Sequence, residues 1–287
     1  MTTLQLGDIA IDRVIEMEKA PFVLPEFFHE ATPEAVAPYR AWLEPDAIDP
    51  VTGDMLLTVQ SYLVRTRHHT ILIDTCVGCR KSYDGIPAWQ DRRDETWLRN
   101  LAAAGVAPEQ IDFVFCTHLH LDHAGWNTRL IDGRWVPTFP NAKYIFARDE
   151  VASAAEIGHL DFQENVQPVL DAKQAVLVDT DYALDDQVWL EPTLGHTAGH
   201  VAVHLKSGSA HAVVTGDLIH SPLQLVQPDW SPHFDYDIVQ SRATRRRFLD
   251  THCDTDTRIM TIHFPLPSIG HVVRDKDAFG FDYVNGA

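Results

Sequence analysis

Thr117–Asn127 reads THLHLDHAGWN and follows the short apolar run Ile111–Cys116 (IDFVFC). The run predicts a buried strand that delivers the histidine segment at its end. His118, His120, Asp122 and His123 fall within six residues. In extended backbone, residues two apart point to the same side, so His118 and His120 can share one metal ion. Asp122 and His123 then turn toward a second position. Gly125 permits the tight backbone path that follows.

Three later segments offer donors of the same kind. GHTAGH places His196 and His200 after a strand, TGD places Asp217 at the end of AHAVV, and MTIHF places His263 at the end of another strand. Side chains presented at strand ends are held by the sheet behind them.

The elements around these segments alternate. Strands are predicted at Ile9–Met17, Leu56–Thr66, Thr70–Asp74, Ala142–Ala147, Ala175–Val178, Val188–Glu191, His200–Leu205, Ala212–Thr215 and Arg258–Ile262. Helices are predicted at Glu95–Ala104, stopped by Gly105, at Asp149–Ile157, and at Ser241–Asp250. The pattern implies α/β layers with mixed sheets. No Gly/Ser linker interrupts residues 1–287, which reads as a single domain. Residues 1–54 include a Pro/Phe-rich arm at about 20–30, APFVLPEFFHE. It either packs on the body, flaps over a pocket or forms a dimer contact.

Composition narrows the partners. Asp and Glu outnumber Lys and Arg 41 to 23, a formal charge of −18, which repels phosphate backbones and anionic lipid surfaces. Nucleic acid and membrane are therefore not expected partners. No apolar run reaches the ~20 residues of a spanning helix. No basic and apolar leader opens the chain, so the expected location is cytoplasmic. Four cysteines are too few for a disulfide framework, and Cys76 and Cys79, a lone CxxC, read as buried thiols.

The motif set resembles that of the metallo-β-lactamase-fold hydrolase superfamily. HxHxDH stands as His118-Leu119-His120-Leu121-Asp122-His123, with His196, Asp217 and His263 matching the later positions over residues 55 to 265. The resemblance implies an αββα sandwich with a dinuclear site at one edge. It assigns His118, His120 and His196 to one metal, Asp122, His123 and His263 to a second, and Asp217 to both. Two divalent ions are implied, zinc by default, with manganese, iron or cobalt as alternatives. A bridging hydroxide would attack an ester carbonyl, with Asp122 relaying a proton. Asp74 matches a strand-end aspartate of the superfamily and is expected to hydrogen-bond behind the ligands, as is His200.

The pattern is similar to N-acyl homoserine lactonases, except that His220 stands where that branch often has a tyrosine. His220 is a candidate donor to the carbonyl oxygen. The ligand set is also similar to that of methyl parathion hydrolase-like arylesterases and organophosphate hydrolases, which suggests aromatic substrate contacts from Phe27, Phe28, Trp126 and Phe264. A glyoxalase II-like thioester hydrolase would need basic residues such as Arg242, Arg245, Arg246 and Arg247, which read instead as a solvent-facing helix surface. A mononuclear iron dioxygenase or a non-catalytic metal-binding protein is the alternative of another class. The expected substrate is a small neutral or hydrophobic lactone or ester, and the arm near residues 20 to 30 suggests a homodimer. His68, His69, His159, His204, His211, His233, His252 and His271 show no partner pattern.

Overall fold

The computed structural model describes residues 3–83 and 86–284. Its first sheet takes β1 (Leu4–Leu6), β2 (Ile9–Phe22), β3 (Met55–Arg65), β4 (Thr70–Ile73) and β5 (Phe113–Phe115). A separate hairpin, β6 (Thr128–Ile131) and β7 (Arg134–Pro137), follows. The first sheet then resumes with β8 (Lys143–Ala147) and β9 (Ala175–Val178). The second sheet comprises β10 (Val188–Pro192), β11 (Val201–Ser207), β12 (Ala210–Val214), β13 (Arg258–Met260), β14 (Ile269–Asp275) and β15 (Ala278–Tyr283).

The first sheet has seven strands in the order β1-β2-β3-β4-β5-β8-β9, and the second has six in sequence order. Both are mixed. β1 to β4 pair antiparallel, and β4, β5, β8 and β9 pair parallel. β12 and β13 form a parallel pair among antiparallel neighbours.

Period-two alternation explains the layering. In β3, Tyr62 and Val64 face the second sheet and meet Val203, Leu205, Val214 and Met260. Val59 and Leu63 point the other way, onto Trp97 and Leu101 of the helix Thr96–Ala103. On the far side, Val213 and Ile259 pack against Phe248 and Leu249 of the helix Ile238–His252. Both sheets are covered on both faces, which is why β3 is buried almost throughout. Each fully buried Leu, Val or Phe contributes roughly 1.5–3 kcal/mol.

Three expectations are corrected here. β2 runs on through the arm to Phe22, and only Leu24–Phe27 is a short helix. Arg245 does not face solvent. It is fully buried, and its Nε donates to the Leu218 carbonyl (2.8 Å) and its Nη1 to the Pro228 carbonyl (2.8 Å). The hairpin β6–β7 and the pair β14–β15 had no expected counterpart, because their alternation is weak.

The layout sets the site. The carboxyl ends of the parallel pairs β4/β5 and β12/β13 lie along one edge of the sandwich. Asp74 and Thr117 follow the first pair; Asp217 and His263 follow the second. Open crevices at such ends are where α/β sheets bind ligands.

Candidate metal centre

Backbone packing forces the histidine loop into a fixed path. The Gly125 N–H donates to the Cys76 carbonyl (2.8 Å) and the Trp126 N–H to that of Thr75 (2.8 Å). A Cβ on residue 125 would lie 2.0 Å from the Val77 carbonyl oxygen, so only glycine fits. Gly216, beside Asp217, has φ +51°, and a Cβ there would lie 2.7 Å from His200 Nε2. These approaches bring the segments from both sheets together.

Two groups of donors result. One is His118, His120, His196 and Asp217; the other is Asp122, His123 and His263. Asp217 stands between them. Its Oδ1 is 3.0 Å from His123 Nε2 and 2.9 Å from His263 Nε2. Its Oδ2 is 3.3 Å from His196 Nε2 and 3.6 Å from His118 Nε2.

The outward nitrogens are tied to the protein. His118 Nδ1 donates to Thr117 Oγ1 (3.1 Å), which itself donates to Asp74 Oδ2 (2.9 Å). His123 Nδ1 donates to Asp74 Oδ2 (2.8 Å), His196 Nδ1 to Asp235 Oδ1 (2.7 Å) and His263 Nδ1 to the Thr58 carbonyl (2.8 Å). Each such bond fixes the tautomer and leaves the inward Nε2 as a lone pair. His200 supports the other side: its Nδ1 donates to Thr193 Oγ1 (2.8 Å) and its Nε2 accepts from the Asp217 N–H (3.0 Å).

The inward lone pairs then face one another. His123 Nε2 and His263 Nε2 are 3.2 Å apart, and His196 Nε2 is 3.0 Å from His120 Nδ1. His118 Nε2 and Asp217 Oδ1 are buried with no hydrogen-bond partner. Converging lone pairs repel unless a cation lies among them. Imidazole and carboxylate donors without thiolate suit divalent metal ions.

The electrostatics agree. Burial pushes His118 and His120 well below the usual imidazole range, so both stay neutral. Burial also works against charge on His196, but Asp217 and Asp235 outweigh it and push the ring up to about 9. His123 is likewise raised by Asp217, Asp122 and Asp74 against the effect of its burial. Asp217 is buried, yet the histidines around it hold its carboxyl well below the usual range. The centre therefore draws positive charge: protons on His123 and His196 when no metal is bound, or a cation on the same nitrogens in their place.

Part of the donor set lies at the floor of a cavity of about 450 Å³. Phe22, Phe27, Trp89 and Phe234 wall it, and His120, Asp122, Asp217, His220 and His263 reach its base. His220 Nε2 is 3.0 Å from Asp217 Oδ2, but neither ring nitrogen makes a hydrogen bond. Its ring stacks on His263 at 5.7 Å and meets Phe27 edge-on at 5.2 Å.

Of the four aromatics expected at the substrate, Phe27 lines the cavity and three do not. Phe264 follows His263 in a bend of the chain and packs instead against Phe281 (5.3 Å). Trp126 stacks on Trp97 (5.6 Å) and donates its Nε1–H to Glu16 Oε1 (2.9 Å) inside the core. Phe28 is fully buried and packs toward Trp230 (6.4 Å). Conversely, His233 lines the cavity despite having no motif around it. Asp235 and the Thr58 carbonyl also escaped the sequence reading. Neither lies near a ligand in sequence, and a backbone carbonyl carries no residue signature. Cys76 and Cys79 are buried free thiols.

The fold and the arrangement of donors are of the metallo-β-lactamase kind. The Metallo-beta-lactamase superfamily pattern matches residues 55–255, and the chain belongs to that superfamily. An N-acyl homoserine lactonase of Bacillus sp is 27% identical over 175 residues, which is 56% of this chain and 64% of that one. The N-acyl homoserine lactonase AiiA of Bacillus thuringiensis subsp. kurstaki is 25% identical over 170 residues, 55% of this chain and 62% of that one. The chain thus spans just under two thirds of these relatives' length. Among solved structures, hydrolase AbOPH in the beta lactamase superfamily superposes with TM-score 0.82 at 23% identity, covering 99% of this chain and 97% of its own. AidC, a dizinc quorum-quenching lactonase bound to a hexanoyl homoserine product, gives TM-score 0.78 at 23% identity over 99% and 98%. These likenesses establish the mixed α/β fold. No helix among the described residues is long and apolar enough to cross a membrane.

Proposed function

We propose that this protein is a metal-dependent hydrolase that opens N-acyl homoserine lactones or related small hydrophobic esters, using two divalent metal ions, zinc by default. One observation carries the reading: five histidines and two aspartates turn donor atoms toward a common centre around Asp217, at the base of an aromatic-walled cavity. The lactonase relatives supply the substrate class.

His118, His120 and His196 would hold one metal, Asp122, His123 and His263 the other, and Asp217 would serve both. Bound there, the metals supply a Lewis acid for the carbonyl and lower the pKa of a coordinated water. Hydrolysis adds the water oxygen to the carbonyl carbon and breaks the ring C–O bond. Asp122 accepts the proton from water and returns it to the leaving alkoxide. Burial pushes His220 down to about 4, so its ring is neutral and carries one N–H. That N–H donates to the carbonyl oxygen as negative charge develops on it. The aromatic wall takes the apolar part of the substrate, and the same wall suits a flat aryl ester as a second substrate class.

The test is a metal titration. Chelator-treated protein should regain lactone ring-opening as zinc is added, with activity saturating near two equivalents. Activity independent of added metal contradicts the reading.

A further inference from the structure

Behind the metal residues lies a second cavity of about 160 Å³, with Leu119, Ala154, Ile157 and Phe162 among its walls. His120 and Phe234 line both cavities and form the partition between them. His120 is held by the centre. Phe234 is 43% exposed and rests edge-on against His120 (6.1 Å), His196 (5.8 Å) and Phe27 (5.2 Å).

The backbone beside it is anchored. The Tyr236 N–H donates to the His196 carbonyl (3.0 Å) and the Asp237 N–H to that of Gly195 (2.8 Å). The partly exposed ring has open space on its solvent side, while the main chain two residues on is fixed to the histidine loop.

Of the polar groups at the small cavity, two carboxylates are engaged, while Thr197 Oγ1 is buried with no hydrogen-bond partner. Glu150 accepts from the Leu119 and Gly199 N–H groups (both 2.9 Å), and Asp161 accepts from the Phe162 N–H (3.0 Å). These two carboxylates disfavour an anionic occupant, and Leu119, Ile157 and Phe162 offer apolar contact.

We infer that Phe234 is a specificity-determining partition, and that the cavity behind it receives the distal, neutral alkyl end of the substrate's acyl chain when the ring swings aside. This rests on the ester-hydrolase reading above. Chains that end in the larger cavity need no movement of Phe234; longer ones use the second space.

The experiment measures kcat/KM of the metal-loaded enzyme on butanoyl to dodecanoyl homoserine lactones and on p-nitrophenyl esters of the same acyl series. Wild type is compared with Phe234→Ala, which opens the partition, and Ile157→Trp, which fills the small cavity from its outer wall. Phe234→Ala should raise the dodecanoyl-to-butanoyl ratio, by about fourfold per extra methylene buried. Ile157→Trp should lower that ratio. Calorimetric binding of decanoyl and butanoyl homoserine, the ring-opened products, reads the same preference without turnover. Ratios in both variants equal to wild type, in turnover and in binding, overturn the subsite. Shifted ratios on the aryl esters with no lactone opening would sink the lactone reading alone and leave the partition standing.

Discussion

Among the described residues, two histidine clusters use their ring nitrogens in opposite ways. In the first, His118, His123, His196 and His263 give their outer nitrogens to Thr117, Asp74, Asp235 and Thr58 and turn their inner ones toward Asp217. The second lies on the second sheet. There His204 Nε2 bonds Glu191 Oε2 (2.8 Å), His204 Nδ1 bonds His211 Nε2 (2.9 Å), and His211 Nδ1 reaches Thr257 Oγ1 (3.3 Å). Trp189 stacks on both rings, at 4.9 and 5.7 Å. The nitrogens of the second cluster are spent on one another in a line. Convergence of free lone pairs, each backed by an acceptor behind it, separates a ligand set from a crowd of imidazoles.

The largest effect expected from this contrast is at Asp217. Asp217→Ala removes the carboxylate facing both donor groups; metal content should fall and activity should drop by more than ~10³-fold, on the scale of lost electrostatic stabilisation. An active variant with full metal content would break the comparison. Next is His220→Ala, where loss of one oxyanion donor should lower kcat by roughly 10²–10³ with metal content intact. Mass spectrometry of the metal and steady-state kinetics on one preparation check both parts.

Asp235→Asn sharpens the point about backing groups. It weakens the acceptor behind His196 and should cost about 10- to 100-fold in metal affinity, read by competition with a chelator. The double change His204→Ala/His211→Ala should leave metal content and kcat/KM unaltered. A loss of metal there would mean that the two clusters are not different in kind.

The smallest effect is a pH dependence of stability. Burial pushes His211 down to about 4. Below the unfolded value of ~6.5 the unfolded chain binds a proton that the folded one does not, so stability falls as pH drops from about 6.5 toward 4. The hydrogen bond from His204 lowers Glu191, whose contribution is full above ~4.5 and is lost as pH falls through its folded pKa. His211→Gln should flatten the denaturation midpoint between pH 6.5 and 4. An unchanged slope would show that the line of imidazoles does not titrate in this way.

The convergence of these donors was legible because their placement is local. HxHxDH packs four donors into one loop, and His196, Asp217 and His263 each sit at a strand end marked by an apolar run. The layers were legible for the same reason, through the alternation in strands such as Leu56–Thr66. What lay beyond the sequence was orientation. Phe264 adjoins His263 but packs against Phe281, in a bend whose side-chain directions no residue pattern announces. Trp126 is three residues past His123, yet a 3₁₀ turn carries it into the core. Phe22, Trp89 and Phe234 reach the cavity from three distant segments, and no spacing announces that. Arg245 sits among exposed arginines on a polar helix, and only the folded loop carbonyls around it explain its burial.

The most direct test is the initial rate of ring opening of N-hexanoyl homoserine lactone, followed by proton release, on zinc-loaded wild type and Asp217→Ala with metal per chain measured in both. A kcat/KM at or above ~10⁴ M⁻¹s⁻¹ with two metals in wild type, and loss of metal and rate together in the variant, is the result predicted here. Wild type that holds two metals and opens no lactone would contradict the substrate, and wild type that opens lactone with no metal would contradict the mechanism.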